Sequence, residues 1–222
     1  MRIKRVILPI LVVLLAGTAL GGQGKSEAPR HVIYLHGRIV QDRQSARPEH
    51  PQFGYYELER ILAAFRDRGF VVTGEIRPKN VSVSDAADRV VAQVRELLAS
   101  GVPADHITVV GASMGAGIAL VASARLRNPD VRFCILGACL SSNVEQMLAD
   151  TGKGPVGHVL VVRESSDQFT KDCADWKPDP RATPSLVARE IVVATGLDHG
   201  YIYRPLPEWV NPVLEWAMGG QK

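Results

Sequence analysis

The sequence predicts an α/β protein: a mostly parallel sheet of about six strands with helices on both faces, a three-layer sandwich. Two observations carry this. Six short runs are apolar throughout rather than alternating, as strands buried on both faces are; they cover residues 31–37 (HVIYLHG), 70–76, 106–113, 131–139, 158–164 and 190–197. Between them apolar residues recur at helical spacing, and strand alternating with helix builds one layered unit. A chain of 222 residues with 46% hydrophobic content can bury one sizeable core.

Ahead of the first strand, Arg2, Lys4 and Arg5 precede an apolar run at 6–16 and the small-residue patch AGTALGG. This is the pattern of an export signal ending near residue 21, followed by a linker (22–30) and a folded domain (31–222). A retained membrane anchor is the alternative, although a span needs about 20 apolar residues. No cysteine follows the run, which disfavours a lipid anchor. The expected location is periplasmic or secreted, with no stable membrane insertion unless the leader is retained. The three basic leader residues account for the whole formal charge of +3, 26 basic against 23 acidic. The remaining domain is near neutral, which argues against a nucleic-acid partner.

Leu58, Ile61, Leu62 and Phe65 mark one helix that stops at Gly69. Ala87, Val90, Val91, Val94, Leu97 and Leu98 mark a second, with Ser84 as N-cap and Gly101 beyond its end. A third is expected over 114–127 and a last over 207–218, with short helices in SSNVEQMLAD (141–150) and TPSLVARE (183–190). The segment 38–54 shows no periodicity and reads as a long loop, either functional or a solvated excursion.

In an open parallel sheet, ligands bind outside the carboxyl ends of the strands. That rule sets aside His31, His106 and His158, which open strands, and retains His36, His50 and His199. It also retains Glu75, Glu164, Asp167 and Asp198 among the acids, and Ser113, Cys139, Ser141 and Ser142 among the nucleophiles. Ser113 stands out because GASMG (111–115) is a G-x-S-x-G pattern that follows a buried strand and opens a helix. The pattern alone is weak, but this context is what a strained strand-to-helix elbow requires. Glycine at 111 and 115 would relieve the crowding around the turn.

A serine hydroxyl needs a base to take its proton, and His199 in GLDHGY sits just past the last strand. The imidazole needs a carboxylate to orient it. Asp167, three residues past its strand, is far enough out to reach; Glu164, at the strand terminus, is the alternative. An oxyanion forming on the substrate needs N–H donors, which the Met114 amide and the Arg38 amide of the LHGR turn would supply.

In these residues the chain resembles the α/β-hydrolases. The likeness runs from His31 to about Met218 and comprises the His36–Gly37 turn, the elbow at Ser113, an acid after the next-to-last strand and a histidine after the last, in that order. The resemblance implies a minimal α/β-hydrolase fold, a small capless serine hydrolase, with a Ser113, His199, Asp167 triad working through an acyl-enzyme. It gives His36 a structural role and places the second strand beside the first at one edge, with the third to sixth in sequence on the other side. Two departures accompany it: the sheet lacks the family's first antiparallel strands, and the insertion at 140–157 is too short for a substantial cap. A capless site favours accessible acyl esters, and in the 38–54 loop Arg43, Arg47 and His50 could meet an anionic substrate group or simply be solvated surface charges.

The expected function is therefore an exported carboxylesterase acting on a small acyl ester, without cofactor or metal. Thioesterase or peptidase activity would use the same triad, and a non-catalytic domain of the same fold is the alternative from another class. There is no H-E-x-x-H motif, no zinc-type cysteine spacing, and GASMGAG lacks the Lys-Ser/Thr ending of a phosphate loop. Of the three cysteines, Cys134 reads as a buried thiol. Cys139 and Cys173 fall in loops that this fold would bring to one sheet edge, so an exported chain could bridge them.

Overall fold

The computed structural model describes residues 28–138, 148, 154–173 and 186–220, without the side chains of 171–173. Its centre is a six-stranded parallel sheet in the order β4-β1-β5-β6-β7-β8, formed by β1 (His31–Leu35), β4 (Val71–Thr73), β5 (Ile107–Ala112), β6 (Arg132–Leu136), β7 (Gly157–Glu164) and β8 (Leu186–Val193). The expected order holds: the second strand of the sheet lies outside the first, and the other four follow on the opposite side.

The central strands are buried on both faces, and their side chains sort by parity. Val32, Tyr34, Val110, Ala112, Cys134, Leu136, Leu160 and Val162 face one core. That core is covered by α1 (Arg38–Arg43), α2 (Leu58–Arg66) and α5 (Pro207–Ala217). Ile33, Leu35, Ile107, Val109, Phe133, Ile135, Val159 and Val161 face the other, under α3 (Val83–Ala99) and α4 (Met114–Leu126). This is the three-layer sandwich the apolar runs predict. Helix α4, between the sheet and α3, has ten buried residues from Gly115 to Ala124. Burial on all sides explains why it reads as apolar rather than amphipathic. Cys134 lies fully buried as a free thiol, and burial pushes its pKa up.

Four expectations are corrected. Helix α3 is capped by Ser82, whose Oγ accepts from Asp85 N at 3.0 Å. Ser84 instead accepts from Arg125 Nη2 at 2.7 Å, tying α3 to α4. The segment read as helix at 183–190 is strand from Leu186 onward, because β8 pairs with β7 residue for residue from Gly157↔Leu186 to Glu164↔Val193. A continuous parallel ladder, with Arg163 Nε 2.7 Å from Glu190 Oε1 across it, outweighs a short and weak helical pattern. The edge strands β4 and β8 are largely exposed rather than buried like the four between them. Finally, 38–54 is no long loop: α1 starts at once, and β2 (Glu49–His50) pairs antiparallel with β3 (Gly54–Tyr55). All three elements are too short to impose a period on the sequence. The leader, most of the 141–150 segment and Cys139 lie outside the described residues, as does the Cys173 side chain.

Candidate active site

The carboxyl ends of β5, β6 and β7 and the segment after β8 converge on one edge of the sheet. Ser113 follows β5 directly and has φ 53° and ψ −118°, a conformation that L-residues rarely adopt. Its N–H donates to Leu136 O of the neighbouring strand at 2.8 Å, which fixes the turn from the side. The flanking glycines are sterically required. A Cβ at Gly111 would stand 2.2 Å from Gly115 O, and one at Gly115 would stand 2.0 Å from Leu35 O. The sequence reading placed the crowding around the serine. The clash at 115 is instead with the end of β1, which brings α4 against the strand that carries the His36–Gly37 turn.

That turn borders the elbow: a Cβ at Gly37 would lie 3.6 Å from Ser113 Cβ and 3.7 Å from the Tyr56 ring. Arg38 and Met114 are the first residues of α1 and α4. The first N–H groups of a helix have no intrahelical acceptor, and among the described residues neither of these two N–H groups has one elsewhere. Among the described residues both helices therefore present unpaired amide donors where the first strand and the elbow meet.

His199 lies in the segment after β8. It is buried, and its Nδ1 stands 2.8 Å from Asp167 Oδ2, whose side chain is fully buried. With Nδ1 donating to the carboxylate, Nε2 is left as the proton acceptor. A Cβ at Gly137, one residue beyond Leu136, would lie 3.1 Å from His199 Cε1. Ser113 and His199 thus flank the same end of β6. Among the described residues Ser113 Oγ makes no hydrogen bond, and in unliganded sites such contacts are commonly long.

The two candidate carboxylates differ in what each touches. Glu164 ends β7, is buried, and points to the next segment. Its Oε2 accepts from Thr195 N at 2.7 Å and Thr195 Oγ1 at 2.6 Å, and its Oε1 from Ser166 N and Oγ at 3.3 and 3.2 Å. Burial pushes its carboxyl pKa up, but the hydrogen bonds from Thr195, Ser166 and Gly196 outweigh it and hold it at about 2. Ser166 Oγ in turn accepts from Asp198 N at 3.1 Å. Asp198, at φ 51°, accepts from Gln168 N at 3.0 Å and His199 N at 2.8 Å. Glu164 and Asp198 are therefore the fastening of the two loops that carry Asp167 and His199. Glu75 is exposed.

His36 is buried. Its Nδ1 is 2.9 Å from Gly37 O, and its Nε2 accepts from Arg77 N at 3.0 Å. Burial foremost, and the Arg77 cation second, lower its pKa to about 4, so it is neutral and structural. Arg77 itself is buried, donating to His36 O and, at 2.9 Å, to Gln41 Oε1. Gln41 donates to Lys79 O and Val81 O at 3.1 and 3.0 Å, locking α1 to the segment after β4. Gly37 N donates to Tyr56 OH at 3.4 Å, and Tyr56 OH is 2.6 Å from Tyr34 OH. This network holds the turn that presents the Arg38 amide, and nothing in the one-dimensional pattern of the sequence joins its members.

Of the three residues proposed for the 38–54 segment, one approaches the site. Arg43 is exposed, and the exposed Arg47 lies 3.9 Å over the Tyr55 ring. Neither is joined to Ser113, His199 or Asp167 by a hydrogen bond or ion pair. His50 stacks on Phe53 with ring centroids 4.5 Å apart, and Phe53 lies 6.1 Å from His199. A further ring, Phe169, stands 4.8 Å from His199. Sequence reasoning missed both phenylalanines, since neither belongs to a periodic run.

No family model matches the sequence, and no curated protein matches it. Solved structures do. Est1E from Butyrivibrio proteoclasticus is 12% identical with a TM-score of 0.55, over 89% of this chain and 90% of that one. Esterase B from Lactobacillus rhamnosis is 14% identical with a TM-score of 0.58, over 88% and 77%. MGS-M1, an α/β-hydrolase enzyme from a Medee basin deep-sea metagenome library, is 12% identical with a TM-score of 0.51, over 86% and 85%. The strand order, the elbow after β5 and these likenesses lead to one conclusion: the chain has the α/β-hydrolase fold.

Proposed function

We propose that this chain is a serine hydrolase that cleaves small acyl esters, with Ser113 as nucleophile, His199 as general base and acid, and Asp167 as the group that orients and stabilises the imidazolium. The observation that carries the reading is the 2.8 Å contact between buried Asp167 and His199 on the sheet edge where Ser113 is held at φ 53°. In the first step His199 Nε2 takes the Ser113 proton as Oγ bonds to the acyl carbon, and the carbonyl oxygen becomes an oxyanion facing the Arg38 and Met114 N–H groups. Collapse expels the alcohol oxygen, which receives the proton from Nε2, and leaves an acyl-enzyme. Water then attacks with the same histidine as base, releasing the acid and restoring Ser113. The names of the structural neighbours, esterase among them, support ester over amide substrates. The leader-like N-terminus would carry this activity out of the cytoplasm, with the free N-terminus of the exported protein falling near residue 22.

The test is hydrolysis of p-nitrophenyl acetate by the purified protein. Ser113→Ala and His199→Ala should each abolish it, and turnover that survives Ser113→Ala would exclude the mechanism.

A further inference from the structure

We propose that Phe169, rather than Phe53, the other ring near His199, is the specificity element for the alcohol side of the substrate and selects esters of arylalkyl alcohols. The assignment rests on the esterase reading above and goes beyond it by naming what binds next to His199.

The two rings differ in how they are held. Phe53 is fixed: it stacks on His50 at 4.5 Å, meets Tyr203 edge-on at 5.5 Å and lies over Gly200, where a Cβ would come within 3.1 Å of Phe53 Cβ. Phe169 is presented: the residue is 72% exposed, yet its ring centroid is only 4.8 Å from the imidazole. Scattered exposed apolar residues need no explanation, but this one has its backbone tied to the triad acid. Asp167 accepts from Phe169 N through Oδ1 at 2.9 Å while Oδ2 holds His199. The carboxylate that contacts the imidazole therefore also anchors the backbone that carries the phenyl ring beside it.

The chemistry decides which half of an ester meets that ring. His199 must hand its proton to the leaving oxygen, so the alcohol, and not the acyl chain, lies within hydrogen-bond reach of Nε2. Of the two phenyl rings near His199, that of Phe169 is the nearer, at 4.8 Å against 6.1 Å, and in this assignment it meets the group one or two bonds beyond that oxygen. An exposed phenyl face gains most from another aromatic ring, through offset-stacked or edge-to-face contact beyond area burial.

The test compares benzyl acetate with methyl acetate on the purified protein, the two leaving alcohols being nearly equal in acidity, so that chemistry is matched and contact is not. The wild-type protein should favour the benzyl ester in kcat/KM by about two- to tenfold. Phe169→Ala should bring the ratio close to one, and Phe169→Trp should retain it. Equal kcat/KM values in the wild type, or a ratio unmoved by Phe169→Ala, would overturn the assignment while leaving the esterase reading intact. Absence of any ester turnover by the wild type, with Ser113 unreactive towards a fluorophosphonate, would overturn that reading and this assignment with it.

Discussion

Asp167 Oδ2 lies 2.8 Å from His199 Nδ1, and the Asp167 side chain is shut off from solvent. Glu164, three residues earlier and equally buried, spends its oxygens on Thr195 and Ser166 instead. The two acids should therefore fail differently. Asp167→Asn should cost kcat about 10³- to 10⁴-fold with the fold intact, since the imidazole loses its orienting charge. Glu164→Gln should cost stability, about 2 kcal/mol in denaturant unfolding, with a much smaller loss of kcat in the protein that remains folded. The opposite ranking would exchange the two roles.

The oxyanion donor proposed at residue 38 is a backbone group, so its test is a substitution that removes the N–H and little else. Arg38 is the first residue of α1, where proline is well tolerated. Gly37 has φ −68° and ψ 170°, which a following proline accepts. Arg38→Pro should keep the thermal unfolding temperature while lowering kcat about 10²- to 10³-fold. Arg38→Ala, which keeps the N–H, should leave kcat within a few-fold of wild type.

The parts of this site that were legible in the sequence are those that a strand end exposes. The central strands are apolar on both faces, so they were visible as runs, and the residues just beyond them (Ser113, Asp167, His199) could be assigned to one edge. Strand order followed from the resemblance rather than from any run. What stayed hidden depends on contacts distant along the chain. The Arg77, Gln41 and His36 network joins α1 to the segment after β4, and Phe53 reaches His199 from a segment without periodicity. The misread helix at 183–190 has the same origin: only pairing with β7 makes Leu186–Val193 a strand.

The elbow glycines are tested by adding one methyl group. Gly115→Ala would place Cβ 2.0 Å from Leu35 O, a backbone atom that cannot swing aside. It should destabilise the protein by about 3 kcal/mol or more, or prevent soluble expression. Gly111→Ala, 2.2 Å from Gly115 O, should act alike. Chemical denaturation or soluble yield reads both.

His36 predicts a pH dependence of stability. Its pKa is lowered from 6.5 to about 4 in the folded protein, so the unfolded chain takes up the proton first as pH falls. The stabilisation is complete above about pH 6.5 and is lost progressively down to about pH 4. His36→Asn should flatten this part of the stability profile, and an NMR titration of the His36 ring should show no protonation at pH 6.

The central claim is that one oxygen, Ser113 Oγ, is the nucleophile. It is tested most directly by mapping covalent labelling with a fluorophosphonate by peptide mass spectrometry. The account predicts one phosphonyl group per chain on the peptide containing Ser113, loss of labelling in Ser113→Ala, and strongly slowed labelling in His199→Ala. Labelling at another residue, or undiminished labelling of Ser113→Ala, would contradict it.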